Sequence, residues 1–116
     1  MKKTNSTIVW ICSDLFGVGD EELGKILMKS FLNTLWDCKP RPAKLVFQNK
    51  GVMLTTVGSD VLETLELLEK EGVEILSCGT CLAFYGIKDR LRIGRATNMP
   101  EIVDITLSAG TVINIP

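Results

Sequence analysis

Two cysteines, Cys78 and Cys81, stand three positions apart in "ILSCGTCLAFYG", where one apolar run stops and an aromatic-bearing stretch begins. Thiols at that spacing can form a redox pair, supply half of a metal site, or act as a nucleophile with a resolving neighbour. At a strand-to-helix turn a thiol meets unpaired backbone N–H groups and the positive end of a helix, so its thiolate is expected to be favoured and its pKa lowered. Gly79, between the two, permits a tight turn and the close approach of a sulfur-bearing partner. Thr80 and, further along, Asn98 are the expected supporting residues, with Asn98 also well suited to cap a helix.

The sequence contains no histidine, which removes Ser-His-Asp and Cys-His catalysis and every His-containing metal site. A structural zinc site normally has four ligands, so Cys12 and Cys38 would both have to converge on the pair. Each of them reads more simply as packing, because cysteine is among the most buried residue types. Thioredoxin-like chemistry is a minor alternative, since no Trp precedes the motif and no Pro lies inside it. Sulfur relay suits the residues best. It needs one accessible thiol and no acid–base machinery, and a neighbouring cysteine can release the sulfur by closing a disulfide. The redox analogy makes Cys78 the more exposed thiol, so the residues alone leave the nucleophile open. A binding or assembly subunit with structural cysteines is the second reading. No cofactor and no metal is expected.

Elements must hold these residues in place. "STIVWIC" (6–12), "AKLVFQN" (43–49), "VEIL" (73–76), "LRIGRAT" (91–97) and "TVINI" (111–115) read as strands. Asp20 opens a helix that carries Leu23, Ile26, Leu27, Phe31 and Leu35 at helical spacing. Asn49-Lys50-Gly51 reads as a turn, and "GVMLTTVGSD" as a short strand or a covered loop. Ser59 or Asp60, with Glu63, forms a capping box for a second helix, with Val61, Leu62, Leu65 and Leu68 facing inward. A short helical turn follows the cysteines, and Asn98 with Glu101 caps a further helix through Leu107. The alternation implies a single α/β domain over 1–116: a mostly parallel five-stranded sheet with helices on both faces. Reactive residues then belong beyond the carboxyl ends of the strands, at 13–20, 77–81 and 97–101.

Composition narrows the partners. Thirteen basic residues face 14 acidic ones, with no basic stripe for nucleic acid. Apolar stretches fall far short of the roughly 18 residues a membrane span requires. The apolar segment of "MKKTNSTIVWIC" is too short for a signal peptide, so a cytoplasmic chain beginning at its first strand is expected. "GVGDEELG" matches neither a dinucleotide fingerprint nor a P-loop, and its acidic residues would repel phosphate.

"SCGTCLAFYGIKDRLRIGRATNMPEIVD" closely resembles the matching stretch of YedF-type selenium-metabolism proteins, sulfurtransferase-like members of the DsrE/DsrF-like superfamily. "SDLFGVGDEELGKILMKSFL" and "GVMLTTVGSDVLETLELLEKEGVEILSCGTC" resemble the same family, so the likeness spans about residues 6 to 115. The resemblance implies a DsrE-like fold, a homo-oligomer, and sulfur or selenium handling. Relatives with one active cysteine place it shortly before a glycine-ended helical turn, which implies Cys81 as carrier and Cys78 as resolving partner. YedF-type proteins commonly carry an N-terminal TusA-like domain with a Cys-Pro-x-Pro motif. "CKPRP" at Cys38 is not that motif, so the resemblance implies either a TusA-like sulfur carrier protein as a separate partner or a stand-alone member of the superfamily.

Overall fold

The computed structural model describes residues 5–116. Among these residues five strands, β1 (Thr7–Ile11), β2 (Lys44–Phe47), β3 (Glu74–Cys78), β4 (Arg95–Thr97) and β5 (Thr111–Ile115), form one sheet in the order β4-β3-β2-β1-β5. Every pairing is parallel. Strands β1 to β3 are short apolar runs, as befits strands covered on both faces. The last strand is different: only Ile115 of β5 is buried, as expected of a sheet edge.

Among the described residues four α-helices fill the crossovers: α1 (Glu21–Asp37), α2 (Leu62–Lys70), α3 (Gly79–Phe84) and α4 (Met99–Ser108). The path from β1 through β2 and β3 steps one way along the sheet, so right-handed connections place α1 and α2 together on one face. There the Thr64 hydroxyl donates to Asn33 at 2.5 Å, tying α2 to α1. The step from β4 back to β5 runs the other way and sends α4 to the opposite face. On that face Glu74 of β3 holds Lys44 at 2.7 Å and Arg95 at 3.0 Å, and Arg95 reaches Glu101 of α4 at 2.7 Å.

The helices differ from expectation in detail. Asp20 caps α1, accepting the Leu23 N–H at 2.9 Å. However, the buried face of α1 is Gly24, Met28 and Leu32, while Leu23, Ile26 and Leu27 are exposed. Helix α1 is apolar on more than one side, so spacing alone could not choose the core face. Val61, Leu65 and Leu68 are buried as expected. The capping box is absent: α2 begins after Val61 without a side-chain cap, and Ser59 Oγ accepts the Val61 N–H instead. The ambiguous stretch after β2 divides: its first half belongs to a 3-10 helix, Asn49–Thr55, with Gly51, Val52, Leu54 and Thr55 buried, and residues 56–60 form the turn that leads towards α2. The fourth strand is only three residues long, because a 3-10 turn at Lys88–Arg90 and an isolated bridge from Leu91 to Thr56 take up the preceding chain.

Candidate thiol site

Strand β3 ends at Cys78, and α3 starts at the next residue. The side chain of Cys78 is 3% exposed and packs in the core. Just before it, the hydroxyl oxygens of Ser77 and Thr55 lie 2.8 Å apart, fastening the end of β3 to the 3-10 helix. Cys81, in the first turn of α3, is half-buried. The better-reached thiol of the pair is therefore Cys81, the reverse of what the redox analogy implies. A CxxC pair straddling a strand end must place one side chain under the sheet's cover and the other on the short helix above it.

The Sγ of Cys81 accepts the backbone N–H of Asn49 at 3.1 Å. Asn49 is the first residue of the 3-10 helix and has φ 49°, the sole positive φ outside glycine among the described residues. Its Oδ1 accepts the Tyr85 hydroxyl at 2.5 Å. Phe84, edge-on to Tyr85 with ring centroids 5.5 Å apart, is 83% exposed beside the site.

Burial pushes the Cys81 thiol above its ordinary value. The adjoining Cys78 thiol acts the same way, the Asn49 N–H pulls it back, and charge on Cys78 or Cys12 would raise it further. This is opposite to the lowering expected of a helix start. Helix α3 has six residues and a correspondingly weak field, and loss of water around the sulfur outweighs it.

Cys12 follows β1, and the in-register pairing of Ile11 with Phe47 and of Phe47 with Ser77 brings it level with Cys78 at the same rim. Its Sγ is 3.9 Å from Asn114 Oδ1, and burial raises its thiol as well. The rim thus gathers three thiols where the sequence suggested two. No local signal reveals this, because strand order is needed to place Cys12.

Cys38 is elsewhere. It ends α1, which runs back across the sheet for 17 residues, roughly 25 Å at 1.5 Å per residue. There its Sγ donates to the Thr34 carbonyl at 3.3 Å. A four-cysteine zinc site is therefore ruled out by position, and among the described residues no three cysteine or acidic side chains converge to hold a metal.

Gly79 is closely packed: a Cβ there would meet the Thr97 carbonyl oxygen of β4 at 3.0 Å. Thr80 is exposed at the start of α3. Asn98 caps α4, its Oδ1 accepting the Glu101 N–H at 2.9 Å. Glu101 does not return the bond as a full capping box would; its carboxylate takes Arg95 and the Thr97 hydroxyl. The 3-10 helix and the turn at 56–60 shape, with Asp14 and Lys25, an open cleft of 510 Å³ whose walls also include Lys50 and Ser59 but neither cysteine of the pair. No helix among the described residues is long and apolar enough to cross a membrane.

A family model described as DsrE/DsrF-like matches residues 27–115, which include both cysteines of the pair. The fold is similar to that of the ychN protein from E. coli, with a TM-score of 0.73 and 18% identity over 96% of this chain and 99% of that one. It is also similar to MTH1491 of Methanobacterium thermoautotrophicum, a protein of unknown function, with a TM-score of 0.69 and 20% identity over 93% of this chain and 96% of that one. No curated protein matches the sequence.

Proposed function

The chain belongs to the DsrE/DsrF-like family, and from that membership we propose that it relays sulfur as a persulfide on Cys81, with Cys78 as the resolving thiol. The observation that carries the proposal is the unequal pair: a half-buried Cys81 thiol with an N–H on its sulfur, beside a Cys78 thiol closed off from solvent. The family is associated with sulfur relay, which suits a thiol site that has no acid–base residue beside it.

The chemistry conserves atoms and electrons. The Cys81 thiolate attacks the outer sulfur of a donor persulfide; a new S–S bond forms at Cys81, the donor's S–S bond breaks, and the donor leaves as a thiolate. An acceptor thiolate then attacks the outer sulfur and expels the Cys81 thiolate. Alternatively the Cys78 thiolate attacks the inner sulfur, forming a Cys78–Cys81 disulfide and expelling hydrosulfide, and an external dithiol later reduces that disulfide.

The resemblance to YedF-type proteins extends the proposal to selenium carried on the same sulfur and to a TusA-like partner. Homo-oligomer formation is supported by two uncovered apolar surfaces: Leu23, Ile26 and Leu27 on α1, and Met99, Val103 and Leu107 on α4. A cytoplasmic setting agrees with four free cysteines.

The test is to load the protein with a persulfide donor and weigh it. The proposal expects a gain of one sulfur atom on wild type and on Cys78→Ser, and none on Cys81→Ser. No gain on any of the three would remove the carrier role. The second reading, an assembly subunit with inactive thiols, is favoured by the raised Cys81 thiol, and it expects partner binding to survive replacement of both cysteines.

A further inference from the structure

Helix α3 offers two groups to the same residue. Cys81 and Tyr85 are four positions apart, on one face of the helix. Asn49 answers both: its backbone N–H goes to the Cys81 sulfur at 3.1 Å, and its side-chain oxygen takes the Tyr85 hydroxyl at 2.5 Å. We propose that this two-point clamp sets the reactivity of Cys81, with Asn49 presenting a donor to the thiolate and Tyr85 acting as the positioning residue that holds Asn49 in place. The proposal rests on the reading of Cys81 as the reactive thiol.

The backbone supplies the first argument. A left-handed conformation costs an L residue about 1 kcal/mol or more, and Asn is among the few side chains that tolerate it. At φ 49° Asn49 leaves β2 and enters the 3-10 helix, and the opening N–H groups of a helix have no partner within it. The turn into the helix therefore produces a free N–H, and the fold spends it on sulfur.

Charge supplies the second. A thiolate is a better acceptor than a thiol, so a fixed N–H favours the ionised form and offsets part of the burial around Cys81. The other titratable groups acting on the sulfur are Cys78 from β3 and Cys12 from the end of β1; Tyr85 on its own helix turns its hydroxyl to Asn49, and Lys50 follows Asn49 in the chain. Both thiols oppose ionisation at Cys81, which leaves the Asn49 N–H as the countering group. Tyr85 does not reach the sulfur in this arrangement; it acts by latching the side chain of the residue whose backbone does.

The experiment reads the rate of iodoacetamide alkylation at Cys81 against pH, resolved from the other three cysteines by peptide mass, in wild type, Tyr85→Phe, Asn49→Gly and the double variant. Glycine keeps the backbone N–H and accepts the positive φ, but it has no side chain for Tyr85 to hold. Each single variant is expected to move the Cys81 midpoint up by about one pH unit, roughly a tenfold loss of thiolate at fixed pH. The double variant is expected to move it no further than either single one, because both break one latch. Unchanged midpoints would overturn the proposal, as would a change confined to melting temperature, or shifts that add in the double variant. No sulfur donor is used, so this result stands apart from the success or failure of persulfide loading.

Discussion

The carbonyl oxygen of Ile11 lies so close above Gly51 that a Cβ on Gly51 would stand 2.1 Å from it. Ile11 ends β1 and Gly51 is the third residue of the 3-10 helix, so the helix presses directly on the rim of the sheet. The same carbonyl accepts the Gln48 N–H at 3.0 Å. These two contacts fix where the chain turns at Asn49 and therefore where its N–H points.

Gly51→Ala is expected to destabilise the protein by about 3 kcal/mol or more, since the obstructing atom is backbone and cannot rotate away. Gly58→Ala is the control. Its φ of 93° is strained for alanine, but nothing lies within 4 Å of the new methyl, so a cost nearer 1 kcal/mol is expected. Urea unfolding monitored by circular dichroism measures both.

The two cysteines of the pair should separate in stability as well as chemistry. Cys78→Ser places a hydroxyl at a position only 3% exposed and is expected to cost about 1–3 kcal/mol. Cys81→Ser, half in solvent, is expected to cost under about 1 kcal/mol. Equal losses in denaturant midpoint would contradict the difference in burial.

Acid should weaken the fold through β3, β4 and α4. Lys44 and Arg95 hold the Glu74 carboxyl below its ordinary value, and Arg95 with the Thr97 hydroxyl holds Glu101 at about 2 instead of 4.5. Unfolded carboxylates take up protons first as pH falls, so this stabilisation is complete above the unfolded value and drains away between about 4.5 and 2. Glu101→Gln is expected to flatten the melting temperature against pH in that window. An unchanged slope would show that the pairing with Arg95 is too solvent-screened to matter.

The uncovered stripe of α4 predicts an assembly effect. Val103→Glu and Leu107→Glu replace exposed side chains and leave the buried Ile102 alone. Each is expected to lower the mass measured by light scattering towards that of one chain without loss of helical signal. An unchanged mass would move the proposed contact to Leu23, Ile26 and Leu27 of α1.

Much of the architecture was legible in the sequence because its signals are local. Strand runs bounded by polar residues, the Asp20 and Asn98 caps and the inward Leu65 and Leu68 can each be read within a few positions. What could not be read depends on pairing across the chain. Asn49 looks like a turn residue until Cys81, 32 positions later, is known to sit above it. Gly51 looks like part of the same turn until Ile11 is placed against it. Cys12 looks like core until strand order sets it level with Cys78. The pair itself was visible, but its inequality was not, since burial at the end of β3 depends on what covers the strand.

Strand order also has a consequence in time. β1 pairs with β2 on one side and with β5 on the other, and of the five strands of this sheet β5 is made last. During synthesis the first strand can pair on one side as soon as residues 44–47 emerge, yet its other edge stays open until residues 111–115 follow. The Asn114 side chain that faces Cys12 arrives with them. Until β5 arrives the nascent chain therefore displays an unpaired strand edge with a bare thiol at its end, an invitation to a chaperone or to premature oxidation that the pairing of β5 withdraws.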